Sequence, residues 1–263
     1  MGVRILNTID YYACVSRLRS WNPRLKAAVA VCGLLICIAA NDERVSCLVL
    51  LSMSAITVLA GGLSRRKYLA LFRIPFGFMV LGTAAIAIGI SREPYGQVLI
   101  SGAGFYLYVT EAGVRLAAGL VLKASASLSA MYMLVLSTTA SEVIGVLKSI
   151  RTPKLIVELM NLIYRFIFVM TDSQRQMKQA AESRLGYMDF QTSCRTFGRI
   201  GGNLFVVSLK KAGIYYNAMT ARCYDGELMF LEEERPVKGW QLGAAAGYVG
   251  TLVLVWLLIW RVK

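Results

Sequence analysis

Two arginines, Arg184 and Arg222, stand in similar settings, A-A-E-S-R-L-G-Y and A-M-T-A-R-C-Y-D-G, and each closes a long helical pattern. A guanidinium keeps its charge at any physiological pH and presents a planar fork of donors. Such a pair suits bidentate capture of carboxylates rather than proton transfer. Other chemistry has little to work with. The 263 residues include no histidine, which removes His-based metal sites and the usual general base. The six cysteines, Cys14, Cys32, Cys37, Cys47, Cys194 and Cys223, form no C-x-x-C, so neither a zinc knuckle nor a redox pair is indicated. No G-x-x-x-x-G-K-[ST] loop is present to cradle a nucleotide, and nothing asks for a cofactor.

The elements that must position the arginines are membrane helices. The chain is 57% hydrophobic with a mean hydropathy of +0.57, more apolar than soluble domains usually are. Five runs are about long enough to cross ~30 Å of hydrocarbon: residues 25–40, 45–63, 74–90, 114–136 and 241–260. Asn22 and Pro23 suit the cap and first position of the first helix, and Pro75 lies near the expected start of the third. Asn41-Asp42-Glu43-Arg44 breaks the first two spans, and Glu232-Glu233-Glu234-Arg235-Pro236 precedes the last. Trp240 and Trp260 flank that last span as interfacial anchors. Cys32 and Cys37 lie in the first span, where a free thiol behaves as a small hydrophobe. Residues around Gly102-Ala103-Gly104 predict a small hairpin. Lys123 sits inside the fourth span, where it either lines a cavity or snorkels to the interface. Ser125-x-x-x-Ser129, Ala126-x-x-x-Ala130 and Gly243-x-x-x-Gly247 would let helices pack closely.

The stretch from Lys154 to Cys223 is too polar to cross. Leu155, Leu159, Leu162, Phe166 and Met170 recur at helical spacing, with Lys154, Glu158, Asn161, Arg165 and Asp172 on another face. That pattern predicts an amphipathic helix lying at the membrane or packed on protein. A second helix is expected from Asn203 to Arg222, with Leu209, Ala212, Tyr216 and Met219 on one stripe, and Gly201-Gly202 separating it from what precedes. Charge sets the expected sidedness. The net charge is +14. The first 26 residues hold five basic and one acidic residue, and residues 141–223 hold twelve and five. Loop 64–73 holds Arg65, Arg66, Lys67 and Arg73 with no acid. Loops 41–44 and 91–112 hold Arg44 and Arg92 against Asp42, Glu43, Glu93 and Glu111. The positive-inside rule puts the N-terminus, loop 64–73 and region 141–223 in the cytoplasm, and five spans then leave the C-terminus outside. The expected fold class is an all-α integral membrane protein with about five transmembrane helices and a cytoplasmic module of amphipathic helices. Its expected parts are residues 1–140, 141–238 and 239–263. No nucleic-acid-binding module accompanies the charge, so the bilayer is its expected partner.

These residues carry a resemblance. L-M-N-L-I-Y-R-F-I-F-V-M-T-D from Leu159 to Asp172, with the two short arginine motifs, resembles the transmembrane T component of energy-coupling factor (ECF) transporters, in particular the cobalt-type CbiQ family. The likeness covers most of the chain. The family pattern at the motifs is Ala-Arg-Gly; here they read Ser183-Arg184-Leu185 and Ala221-Arg222-Cys223, with Gly186 one residue late in the first. The N-terminal S-R-L-R-S-W-N-P-R-L-K resembles a family stretch with His and Asp-Pro, where this chain has Arg19 and Asn22-Pro23. The resemblance implies a non-catalytic subunit of an ATP-driven importer in a bacterial or archaeal cell membrane. Its implied partners are two ABC-type, CbiO-like ATPases, a CbiM-like substrate-binding membrane subunit and, in some assemblies, a small CbiN-like one. Its implied cargo is cobalt or another transition metal ion, the entry point to cobalamin biosynthesis. Arg184 and Arg222 with their neighbours Ser183, Leu185, Ala221 and Cys223 become the ATPase contacts, while Tyr164, Arg165 and Asp172 hold the coupling helices together. From the residues alone, both arginines read first as ordinary cytoplasmic charges. The competing function class is a membrane enzyme acting on a lipid-linked substrate, which needs ionisable residues converging near one membrane face; the spans offer Lys123 and Arg115.

Overall fold

Asn22 and Pro23 open the first long helix as their types dictate. The Asn22 side-chain oxygen Oδ1 accepts from the Arg24 amide at 2.9 Å, and Pro23 takes the first helical position, where its missing N–H costs nothing. In this computed structural model, residues 11–40, 42–91, 97–102, 105–226 and 235–262 are described. The expected features at Arg4, Asn41, Arg92, Glu93, Ala103, Gly104 and Glu232 to Glu234, and the side chain of Trp260, lie outside them.

The elements are helices α1 (Pro23–Ala40), α2 (Glu43–Ala55, continued as a π-turn Ile56–Ala60), α3 (Arg65–Ala87), strands β1 (Ile88–Ser91), β2 (Gln97–Gly102) and β3 (Phe105–Val109), then helices α4 (Glu111–Ser137), α5 (Ala140–Ser149), α6 (Lys154–Ser183), α7 (Phe190–Thr220) and α8 (Gly239–Val262). Five of these, α1 to α4 and α8, are long and apolar enough to cross a membrane. The hairpin expected near Gly102 pairs Gly102 with Phe105, and β1 joins its other edge to give the antiparallel order β1-β3-β2. The described residues fall into two units, 11–139 with 235–262, and 140–226.

In the first unit α4 is central, lying against α1, α2 and α3. The small residues on α4 are the reason. Ser125, Ala126, Ser129 and Ala130 are all buried, so neighbouring helices approach its backbone and fill the space with Val49, Met53 and Cys37. Ser129 also meets Ser54 and Tyr68 in a triangle of hydroxyls 3.1–3.2 Å apart, which satisfies polar groups that lipid could not. The Lys26 amine, buried, donates to the last α4 carbonyl, that of Ser137, at 2.7 Å. A cation at a helix C-terminus is favourable against the dipole.

The third span departs furthest from expectation. The third helix starts at Arg65, nine residues before the expected Ile74, and carries Pro75 in its interior. Proline lacks the N–H that would bond the carbonyl four residues back. That carbonyl is Leu71's, and the Tyr132 hydroxyl on α4 donates to it at 3.1 Å. An orphan acceptor is therefore met from outside, and the helix continues. The last span packs through Ala245 and Leu252, while Gly243 and Gly247 face away from the unit with nothing within 4 Å of a Cβ.

The second unit is built on α6 and α7. The helix α7 runs unbroken through Gly201 and Gly202, so the expected separation there is absent. Helical φ and ψ are open to glycine at a cost of about 0.5–1 kcal/mol. The inward stripe Thr196, Ile200, Leu204, Val207, Lys211, Tyr215 and Met219 keeps helical spacing across both glycines, each residue half-buried. The expected stripe is displaced accordingly: Leu209, Ala212 and Tyr216 are exposed, and Met219 alone of the four faces inward.

Candidate functional site

Helices α6 and α7 form an antiparallel hairpin. Gly186 meets Thr196, Ser173 accepts from the Lys211 amine at 3.1 Å, the Phe166 and Tyr215 rings meet edge-on at 5.9 Å, and the Tyr224 hydroxyl donates to Glu158 at 3.4 Å. As the first partner advances from Glu158 through Phe166 and Ser173 to Gly186, the second retreats from Tyr224 through Tyr215 and Lys211 to Thr196. The two arginine motifs therefore lie at opposite ends of the hairpin, separated by roughly the length of α7, about 45 Å at 1.5 Å per residue.

The motifs share one backbone design. At the end of α6 the Leu185 amide donates to Glu182 and the Gly186 amide to Ala181; at the end of α7 the Cys223 amide donates to Thr220 and the Tyr224 amide to Met219. Both are Schellman closures, in which paired bonds of six-to-one and five-to-two type satisfy the last carbonyls of the helix. Such a closure needs one residue in the left-handed region, and that residue is Leu185, φ 58°, and Cys223, φ 60°. These are the positions where the Ala-Arg-Gly pattern has glycine, the residue for which this φ carries no steric cost. Here larger side chains occupy the same conformation, at about 1 kcal/mol each. Gly186 is kept for space: a Cβ on it would lie 2.9 Å from the Ala181 carbonyl oxygen and 3.1 Å from the Thr196 hydroxyl. Ser183, Arg184, Leu185, Ala221, Arg222 and Cys223 are all exposed, so both guanidiniums are presented outward at helix C-termini. Arg151 repeats the theme at the end of α5, with φ 62° and the Thr152 hydroxyl donating to the Leu147 carbonyl at 2.7 Å. The sequence reading had neither α5 nor this third turn.

Of the residues expected to join the coupling helices, Tyr164 is half-buried and Arg165 and Asp172 lie at the surface. Arg165 is exposed, and Asp172 pairs with Arg175 on its own helix at 3.9 Å. An exposed pair of that kind is worth at most a few tenths of a kcal/mol. Tyr164 stacks edge-on against Phe168, one turn along α6, at 5.2 Å. Glu158, Phe166 and Ser173 make contacts across the seam. Glu158, expected on the polar face, is buried, while Leu155 is 72% exposed, so the first turns of α6 present their apolar side outward. Burial, then the nearby Glu158 carboxylate, raises the Tyr224 phenol above its ordinary range.

In the other unit, Lys123 and Arg115 line a cavity of about 720 Å³ with Asp42, Glu43 and Glu111. Ionisable groups of both signs do converge there, which the sequence did not reveal because they come from two helices. Among the described residues no three His, Cys, Asp or Glu side chains could hold a metal ion.

Comparison with known proteins bears on this geometry. Residues 15–231 match the family model CbiQ, described as cobalt transport protein. The cobalt transport protein CbiQ of Salmonella typhimurium is 30% identical over 157 residues, covering 59% of this chain and 69% of that one. An uncharacterized protein of Methanocaldococcus jannaschii is 28% identical over 232 residues, 88% of this chain and 86% of its own. A protein of Methanocorpusculum labreanum described as a fused cobalt transport protein, CbiMQ, is 27% identical over 230 residues, 86% of this chain but 38% of the relative.

Proposed function

This chain belongs to the CbiQ family of cobalt transport proteins, and from that premise we propose that it is the non-catalytic coupling (T) subunit of an ECF-type ABC importer for cobalt or a related transition metal ion. It passes the ATP-driven closure of two ATPase subunits to a separate membrane carrier. The observation that carries the reading is the pair of arginine turns, identical in backbone design and placed at the two ends of one hairpin. Each exposed guanidinium can enter an acidic groove on one ATPase and hold a carboxylate with two parallel bonds. Closure of the ATPase pair then acts on both ends of the hairpin at once. The fused relative, whose name joins CbiM to CbiQ, supports a CbiM-like carrier as the partner on the membrane side. The excess of basic residues in 141–223 supports a cytoplasmic hairpin, and with five spans an outside C-terminus.

The test is substitution within the purified assembly. Arg184→Ala and Arg222→Ala should each weaken ATPase binding by about 2–5 kcal/mol, since the partner carboxylate is left unpaired. The double variant should be worse, and Arg→Lys should restore part of the loss. Arg195→Ala and Arg199→Ala, which remove exposed charge from α7, should bind as the native chain does. Equal binding by all four alanine variants would falsify the coupling role.

A lipid-linked enzyme would have to use the cavity around Lys123. There, basic Lys123 and Arg115 face three acids, which favours an ion-paired cluster over a reactive centre. Lys123→Met leaving uptake unchanged is the outcome expected of the coupling subunit.

A further inference from the structure

Both arginine turns are tied to the opposite helix at the same place, the residue two beyond the arginine. In the first turn that residue is Gly186, whose carbonyl accepts from the Thr196 hydroxyl on α7 at 2.8 Å. In the second it is Tyr224, whose hydroxyl donates to Glu158 on α6 at 3.4 Å. One tie uses the backbone of the turn and a side chain of the other helix; the other tie uses a side chain from each. The chemistry differs while the location repeats. Neither tie touches a guanidinium, and both guanidiniums stay exposed. The surroundings make the first tie close: a methyl group on Gly186 would meet the Thr196 hydroxyl at 3.1 Å. At the second, Glu158 is 8% exposed, so its carboxylate is held rather than wandering in solvent.

We propose that Thr196 and the Tyr224–Glu158 pair are positioning residues for Arg184 and Arg222, each bracing an arginine turn against the neighbouring helix so that force applied at a guanidinium moves the whole hairpin instead of unwinding one helix end. A Schellman closure holds a helix by backbone bonds that fray easily. A bond to a second helix makes fraying of the turn cost that bond as well. The inference rests on the coupling role proposed above.

The test uses the full chain, alone in nanodiscs and assembled with its ATPase and carrier subunits. Thr196→Val should raise hydrogen exchange at the Leu185 and Gly186 amides about five- to tenfold, the loss expected for one hydrogen bond, and leave the Cys223 and Tyr224 amides unchanged. Tyr224→Phe should do the reverse. Thr196→Ser and Glu158→Gln, which keep a hydroxyl and an acceptor oxygen, should behave as native. In the assembly, Thr196→Val and Tyr224→Phe should raise the ATP hydrolysed per ion taken up by a similar factor. A merely structural role would instead lower thermal stability and spread exchange along both helices. If the two variants leave turn exchange and the coupling ratio at native values while Arg184→Ala and Arg222→Ala lose ATPase binding, the bracing is refuted and the coupling role stands. If the arginine variants bind ATPase normally, the coupling role itself fails, whatever the exchange shows.

Discussion

The two units solve the same packing problem in opposite ways. Around α4, eight helix residues are buried and small side chains let four helices interlock. Along α7, none of 31 residues is buried, and the hairpin touches through long side chains: an aromatic pair, a lysine reaching a serine, a tyrosine reaching a glutamate. One unit is held by close backbone approach, which tolerates little added volume. The other is held at spaced points, which leaves broad apolar surface uncovered on both helices, such as Leu159, Ile163, Phe205 and Leu209. The difference teaches where each unit's information lies. In the first it is volume; in the second it is the placing of ends.

Substitutions can break this contrast. The largest effect is expected from Ala126→Leu or Ala130→Leu on α4, both fully buried. Overpacking at either should cost about 1–3 kcal/mol or more, read as a lower melting temperature of the purified chain. Leucine placed at Ala212, exposed on α7, should change melting little. An equal fall at Ala212 would show that the hairpin is packed as tightly as the bundle. Next comes Gly186→Ala, where the added methyl meets a backbone oxygen at 2.9 Å. Loss of about 1–2 kcal/mol, confined to the hairpin in hydrogen exchange, is expected. Tyr132→Phe should follow, costing about 1 kcal/mol by orphaning the Leu71 carbonyl at Pro75. Smallest of all, Leu185→Gly and Cys223→Gly should preserve ATPase binding and stabilise the turns by up to about 1 kcal/mol, since φ near 60° suits glycine.

A titration sharpens the contrast further. The Tyr224 phenol has a raised pKa through burial and Glu158. A raised pKa in the folded state means the contribution is whole below the ordinary tyrosine range of about 10 and is lost as pH rises through the folded value. The stability difference between the native chain and Tyr224→Phe should therefore stay constant through neutral pH and shrink only in strong alkali. A difference that shrank near pH 7 would point to another titrating group.

Much of this was legible from residue types. The spans follow from apolar runs, the start of α1 from Asn22-Pro23, and the closing of two long helices at Arg184 and Arg222 from the similar settings of those residues. Composition could not show that Pro75 would sit inside a helix, because the remedy comes from Tyr132, 57 positions along the sequence. Nor could periodicity pick the inward face of α7. With apolar residues all round the helix, the choice between Leu209 and Lys211 is made by α6. In S-R-L-G, Ser183 to Gly186, glycine stands one place late. The structure gives the physical content: position 185 needs a rare φ and position 186 needs room, and these are separate demands.

The antiparallel course of α6 and α7 has a consequence in symmetry. Two helices of similar length running in opposite directions are exchanged by a half-turn about an axis crossing the hairpin at its middle. That rotation carries the Arg184 turn onto the Arg222 turn, and the partner helix start beside one onto that beside the other. On the coupling role proposed above, a single polypeptide would offer two ATPase subunits a pair of equivalent sockets, though no internal sequence repeat encodes them. Identical subunits could bind without either having to tell which end it occupies, and any bias between them would reside in the side chains that differ, Ser183 and Leu185 against Ala221 and Cys223.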